Sequence, residues 1–405
     1  MAEIQPFPGV LYRVPDAELP RVLAPPYDVI SPAQQEGLYA RDPRNIVRVV
    51  LNREDEQKRY DSAGATYRGW LAAGVLAPDD QPALYLLEQV FSVEDRSFSR
   101  RGLLARFRAE DPDRGSILPH EHTRKAPRED RFRLLKATRA NFSPIFLMFP
   151  DAERRFRKAF EQGASGPPDR IYTDDGGVVH RLWRVTAPDA IAELQATLRA
   201  PRAYIADGHH RYATALRYRD EVGPMGAWTL GYFTPLDDPG LVVLPYHRVL
   251  ERSPPLAEAR GALRGAFLVT DAGSAAAAAR QAGQSTMPYA FGLADRQGAL
   301  VVESLPEAQD LLPREAPASL RVLDTFFLHQ AVLPRVLRIG DEAVDYVHSF
   351  AEAEAAVGEG KMAVLMRSTP VRQIVDVAEA RESMPAKSTF FHPKLPSGLV
   401  IHPLP

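Results

Sequence analysis

The chain of 405 residues contains no cysteine, and that absence excludes whole classes of chemistry. Without a thiol there is no disulfide framework, no thiolate metal centre and no cysteine nucleophile. Strong charge of either sign is also missing. The formal net charge of −2 gives no ground for nonspecific binding to nucleic acid or to an anionic membrane. No apolar run approaches the length of a membrane span. The opening Met1-Ala2-Glu3-Ile4-Gln5-Pro6 lacks the basic-then-apolar layout of a signal peptide. A cytoplasmic enzyme acting on a small-molecule substrate is therefore expected, and nothing in the sequence fixes an oligomeric state. Hydrophobic content of 45% and charged content of 25% are those of an ordinary globular protein long enough for two or three domains.

The densest chemistry lies in Tyr204-Ile205-Ala206-Asp207-Gly208-His209-His210-Arg211-Tyr212-Ala213-Thr214-Ala215-Leu216. The segment opens as an apolar strand, turns on Gly208, where a bend costs least, and continues as an Ala-, Leu- and Arg-rich helix. Asp207, His209, His210 and Arg211 then share one strand-to-helix corner. The first helical turn offers N–H groups and a positive dipole end, which together make an anion site. An acid, two imidazoles and a guanidinium at such a site suit phosphate chemistry. A capped helix with merely solvated polar residues is the alternative.

Further candidates lie on either side. In Ala24-Pro25-Pro26-Tyr27-Asp28 the prolines bar a helix and hold Tyr27 and Asp28 on an extended loop. Ile46 to Leu51 reads as a strand, Glu54 to Ala73 as a helix, and Ala83 to Val93 with Phe98 to Phe107 as a hairpin around Glu94-Asp95-Arg96. In the extended segment that follows, His120 and His122 would point to one side. Two imidazoles with no thiolate and no helical His-Glu-x-x-His spacing argue against zinc. His120, Glu121 and Thr123 are expected instead at a phosphorylated ligand, with charge from Lys125 and Arg131. Asp130 would cap a helix over Arg131 to Ala140, and Leu320 to Val336 reads as one long helix. Tyr246-His247-Arg248 brings a second His–Arg pair, either facing the site or pairing with a surface carboxylate. The tail contains Lys387-Ser388-Thr389 and Lys394. It is not a P-loop, because no Gly stands ahead of the lysine. Phe390, Phe391, Leu395, Leu399 and Val400 require burial, so the tail is expected to dock near the Asp207 corner, with its lysines supplying positive charge.

The phrase IADGHHRYATAL resembles that of a large bacterial and archaeal family of unknown function, and family-like phrases recur from Pro25 to Val400. Within it, Asp-Gly-His-His-Arg resembles the box of the ParB/sulfiredoxin superfamily and of the ADP-dependent free-serine kinase of archaea. Sulfiredoxin carries a cysteine in its box. His209 stands at the corresponding position here, so that reductase chemistry is excluded. From Pro255 onward helix and strand alternate with a new start, which reads as a second α+β domain, residues 251–405, after an amino-terminal domain of residues 1–250. The resemblance implies a ParB/sulfiredoxin-like unit within that larger amino-terminal domain, in an α+β fold. It implies a phosphotransferase acting on a small hydroxylated metabolite such as free serine, with Asp207 as base and Mg²⁺ and ATP or ADP as hypothetical cofactors. A phosphatase of a metabolite such as phosphoserine, and a ParB-like nucleotide-binding switch, stay open. A DNA clamp is disfavoured by the acidic balance and the lack of a basic helix-turn-helix.

Overall fold

Apolar runs such as Ile145–Phe149 and Met362–Met366, buried along their whole length, form the middle of two sheets. A computed structural model of the protein describes residues 3–56, 58–113, 115–123, 125–199 and 202–405; Gln57, within the helix expected from Glu54 to Ala73, and Arg124 lie outside them. The chain forms two compact units. The first comprises Met1–Pro119, Thr123–Val242 and Pro393–Pro405, and the second His120–His122 and Val243–His392. The expected boundary near 250 compares with a second unit that begins at Val243, and residues from Pro393 onward belong to the first unit.

In the first unit the strand order is Ile117–Leu118, Ala203–Asp207, Ile145–Phe149, Trp228–Pro235, Arg96–Arg108, Leu84–Val93, Val179–Val185 and Arg170–Thr173, with Ile4–Gln5 also on Arg96–Arg108. Ala203–Asp207 runs parallel to Ile117–Leu118, and Trp228–Pro235 runs parallel to Ile145–Phe149. The other pairs are antiparallel, so the sheet is mixed. Residues on one face of a strand recur every second position. Leu103, Ala105 and Phe107 therefore join Ile145, Leu147 and Phe149 in one core, closed by Phe156, Phe160, Leu194, Tyr212 and Ala215 from three helices. The alternate residues, Arg100, Phe146 and Tyr232 among them, occupy the other face. There the Arg100 guanidinium lies 4.7 Å from the Phe146 ring centre and 5.8 Å from that of Tyr232.

The second unit carries an antiparallel sheet in the order Phe267–Asp271, Gly298–Ser304, Ala290–Asp295, Met362–Met366, His247–Leu250 and Val344–Val347. The protein is thus mixed α and β, with a large mixed sheet and a second sheet unit. No helix among the described residues is long and apolar enough to cross a membrane.

Three local expectations are corrected. Val47–Val50 is helical, not extended. Its β-branched residues favour strands, but Asn45 accepts from the Val47 N–H and donates to the Arg21 and Leu23 carbonyls, which fixes a turn instead. The helix expected from Arg131 starts at Lys125 and has Asp130 inside it. The expected long helix from Leu320 breaks into Ala318–Arg321 and Asp324–Phe327, then a π-helical stretch Leu328–Leu337 that contains Pro334. A proline clashes with the preceding turn of an α-helix, and wider π-turns relieve such a clash.

Candidate functional site

Tyr204 faces Met148 and Ile205 faces Leu147, but the next partner of Phe146 is Asp207. Ala206 is an extra residue, and a bulge of this kind re-aims the side chain beside it. Asp207 is thereby set opposite Phe146, over whose ring Arg100 lies. Gly208 follows with φ +97° and heads the 14-residue helix His209–Val222 without a side-chain cap. A Cβ at this position would stand 3.0 Å from Arg211 Cζ. Both the left-handed backbone and the close guanidinium therefore require glycine.

The carboxylate of Asp207 is held from two sides. Its Oδ1 accepts from Lys394 Nζ at 2.6 Å and its Oδ2 from Arg211 Nη2 at 2.5 Å. The three side chains are 18%, 12% and 14% exposed, so water screens the pair contacts weakly. Burial alone would raise the Asp207 pKa. The charges of Lys394 and Arg211, with His209 beyond them, outweigh it and hold the carboxyl well below the usual carboxylate range. In this state Asp207 is a poor proton acceptor and a well-matched anion. Arg211 also donates through Nη1 to the Pro144 carbonyl, which ties the helix start to the neighbouring strand.

Two more of the expected residues share this part of the first unit. Tyr27 lies in a short 3₁₀ turn, Tyr27–Val29, rather than on a fully extended loop. The Arg131 guanidinium stacks 3.9 Å from its ring centre. Burial pushes the Tyr27 phenol up to about 12, against the charges of Arg131 and Arg211. Arg131 also donates to Asp130 and to the Val50 carbonyl. A cavity of about 60 Å³ has Tyr27, Arg131, Ser143, Arg211 and Thr214 on its wall. Asp28 is exposed beside it in sequence. The tail passes the same loop: Ser397 Oγ lies 2.6 Å from Ser143 Oγ and donates to the Pro25 carbonyl.

The remaining candidates have partners of their own. Thr123 belongs to the first unit, and its Oγ accepts from Arg128. His120 and Glu121 belong to the second, where the Met384 N–H donates to the His120 carbonyl and Glu121 pairs with Met384 in a bridge. His120 is buried and His122 exposed, so the two imidazoles do not share one side. Among the described residues no group of three His, Asp or Glu could hold a metal ion. His247 accepts from the Met366 N–H at Nδ1, and burial, aided by Arg248, pushes it down to about 4. Arg248 is fully buried. It donates to the Tyr246 carbonyl and to His329, not to a surface carboxylate. Lys387 donates to the Tyr246 hydroxyl at 3.4 Å, and Ser388 is spent on the Pro385 carbonyl and Thr325; Thr389 follows them in the second unit.

Sequence reasoning passed over Arg100 and Gln89, which donate to the tail from inside the sheet. It also passed over Asp238, whose carboxyl burial pushes up to about 6. Asp238 lines a separate cavity of about 240 Å³ with Arg101, Asp151 and Arg157. The one signal available was a polar pair, Glu88-Gln89, inside an otherwise apolar stretch of strand.

The chain belongs to the family described as Protein of unknown function (DUF1015), which matches residues 4–326. No curated protein matches it in sequence. Among solved structures it is similar to a conserved hypothetical protein from Pyrococcus furiosus, at 14% identity and TM-score 0.36, over 73% of this chain and 93% of that one. A free serine kinase in complex with AMP is similar at 14% identity and TM-score 0.34, over 71% and 86%. SbnI with a C-terminal truncation, from Staphylococcus aureus, is similar at 10% identity and TM-score 0.37, over 72% and 84%. Likeness this distant leaves function to the chemistry of the site.

Proposed function

We propose that the Asp207 corner is the phosphate-handling site of a phosphotransferase that acts on a small hydroxylated metabolite, with free serine as the first acceptor to try. The observation that carries this reading is one carboxylate bonded to both Lys394 and Arg211 at the start of an uncapped helix. Two cations and a helix amino terminus around one anion form a cradle for phosphate oxygens. In this reading the strand–glycine–helix corner is a ParB/sulfiredoxin-like unit, and Asp207 holds the cradle's charges until a phosphate takes them over.

The residues suit the phosphate end of a nucleotide. Any divalent cation would arrive with the phosphates and be held through their oxygens and its own waters, since Mg²⁺ dehydrates reluctantly, which leaves Asp207 for the proton. When bound, a nucleotide with Mg²⁺ would supply the phosphoryl group and neutralise its charge. The chain's own residues do the rest. Lys394 and Arg211 turn from Asp207 to the phosphate oxygens and stabilise the charge that builds there. Losing those two partners would raise the basicity of Asp207, which would accept the proton of the acceptor hydroxyl as its oxygen bonds to phosphorus and the bond from phosphorus to the departing nucleotide breaks. Tyr27 and Arg131 border the cavity beside Arg211 and would bound the acceptor.

A thermal-stability screen against ATP, ADP, serine, phosphoserine and Mg²⁺ tests this, because a ligand that binds only the folded state raises stability by about 2.7 kcal/mol at a hundredfold excess over Kd. Stabilisation by a nucleotide, followed by nucleotide-dependent phosphorylation of serine, is expected. Stabilisation by phosphoserine with release of phosphate would mark a phosphatase instead, and nucleotide binding without turnover a switch. Indifference to every phosphate-bearing ligand would end the proposal.

A further inference from the structure

Lys394 reaches Asp207 from a segment with little regular structure, and a flexible side chain on a loose segment would not hold one geometry. Its backbone, however, is held from within the sheet. Arg100 Nη2 donates to the Pro393 carbonyl at 2.5 Å, and Gln89 Nε2 donates to the Lys394 carbonyl at 3.4 Å. The two donors are themselves linked, because Arg100 Nη2 also donates to Gln89 Oε1 at 2.5 Å. On the far side of Gln89, its Nε2 stands 3.5 Å from His180 Nδ1, and His180 Nε2 stands 2.9 Å from Asp174 Oδ2.

These side chains form one row across neighbouring strands. Arg100 is the register partner of Gln89, Gln89 of His180, and His180 of Tyr172, whose ring stacks on the imidazole at 4.5 Å. Arg100 and Gln89 are wholly buried and His180 is 1% exposed. The row has a fixed polarity. A guanidinium can only donate, so the Gln89 oxygen must face Arg100. The amide nitrogen is then left for the Lys394 carbonyl and for His180. Nδ1 of His180 must in turn accept, which puts its proton on Nε2, facing the Asp174 carboxylate. Burying three such groups in place of apolar side chains is costly unless every partner is present.

We infer that the row Arg100–Gln89–His180–Asp174 positions Lys394 on Asp207. It belongs to no part of the chemistry itself. What the clamp is for rests on the reading above; what holds the clamp does not.

The test follows Lys394 directly, by the rate at which acetic anhydride acetylates it in the full chain, read by peptide mass spectrometry. Gln89→Glu keeps the acceptor for Arg100 but loses the amide donors. His180→Phe keeps the stack on Tyr172 but loses the acceptor for Gln89. Acetylation of Lys394 should rise by about fivefold in Gln89→Glu, as loss of one neutral hydrogen bond to its backbone allows, and by less in His180→Phe. Lys361, bonded to Glu251 in the second unit, should react at its wild-type rate in both. Unchanged protection of Lys394 in the folded variants, or an equal rise at Lys361, would overturn the inference. Should one variant fail to fold, the other decides. A wild-type protein that ignores phosphate would remove the proposed function and leave this result standing.

Discussion

Each unit holds a His–Arg pair, at His210-Arg211 and at His247-Arg248, and the surroundings give the two pairs opposite characters. Arg211 stands in the first turn of a helix, 14% exposed, and shares the Asp207 carboxylate with Lys394. Arg248 is wholly buried in a strand, bonded to a carbonyl and to His329, and its burial pushes it down to about 10. On the proposed reading, Arg211 exchanges its carboxylate for a ligand's phosphate and itself stays paired. Arg248 cannot move without abandoning buried partners. Residue type is the same; freedom to exchange partners separates a binding group from a structural one.

Four experiments sharpen or break this contrast. Asp207→Asn keeps the shape of the side chain but loses its basicity, and turnover should fall by about 10²-fold or more; steady-state kinetics with serine and nucleotide measures it, and near-normal turnover would remove Asp207 from the mechanism. In the second unit, His247 titrates near 6.5 when unfolded and at about 4 when folded. Between those values the unfolded chain binds the extra proton, so stability is lost as pH falls through that window, by about 3 kcal/mol. His247→Asn, whose amide does not titrate, should flatten that part of the curve in denaturant titrations. Lys394→Ala should weaken binding of inorganic phosphate by about tenfold, as loss of one charge-assisted bond does. Arg248→Met, of similar volume, should leave phosphate binding unchanged and lower stability by about 1–3 kcal/mol, because the buried Tyr246 carbonyl and His329 lose their donor. Calorimetry and thermal unfolding separate these last two.

The corner was legible because its determinants are local: a glycine between an apolar strand and a helix-forming run, with four polar residues inside five positions. The hairpin of Leu84–Val93 and Arg96–Arg108 was legible for the same reason, since two runs of strand character and the turn between them lie in one stretch. The row behind Lys394 was not. Arg100 meets His180 only through the register of Leu84–Val93 with both neighbouring strands, and that register depends on the whole sheet. Lys387 and Lys394 looked alike in the sequence, seven positions apart and both among prolines. Packing divides them, because the chain leaves the second unit at His392 and enters the first at Pro393. The segment at Val47–Val50 misled by composition, as three buried valines in one short turn carry no periodicity that tells helix from strand.

The central claim is that Asp207 occupies, in the ligand-free protein, the charges that a phosphate would otherwise hold. Titration calorimetry of inorganic phosphate into the wild-type protein and into Asp207→Asn tests it most directly. Removing the competing carboxylate should tighten phosphate binding by about tenfold, even as turnover is lost, because Lys394 and Arg211 are left without an anion. Weaker binding, or none, in Asp207→Asn would contradict the account.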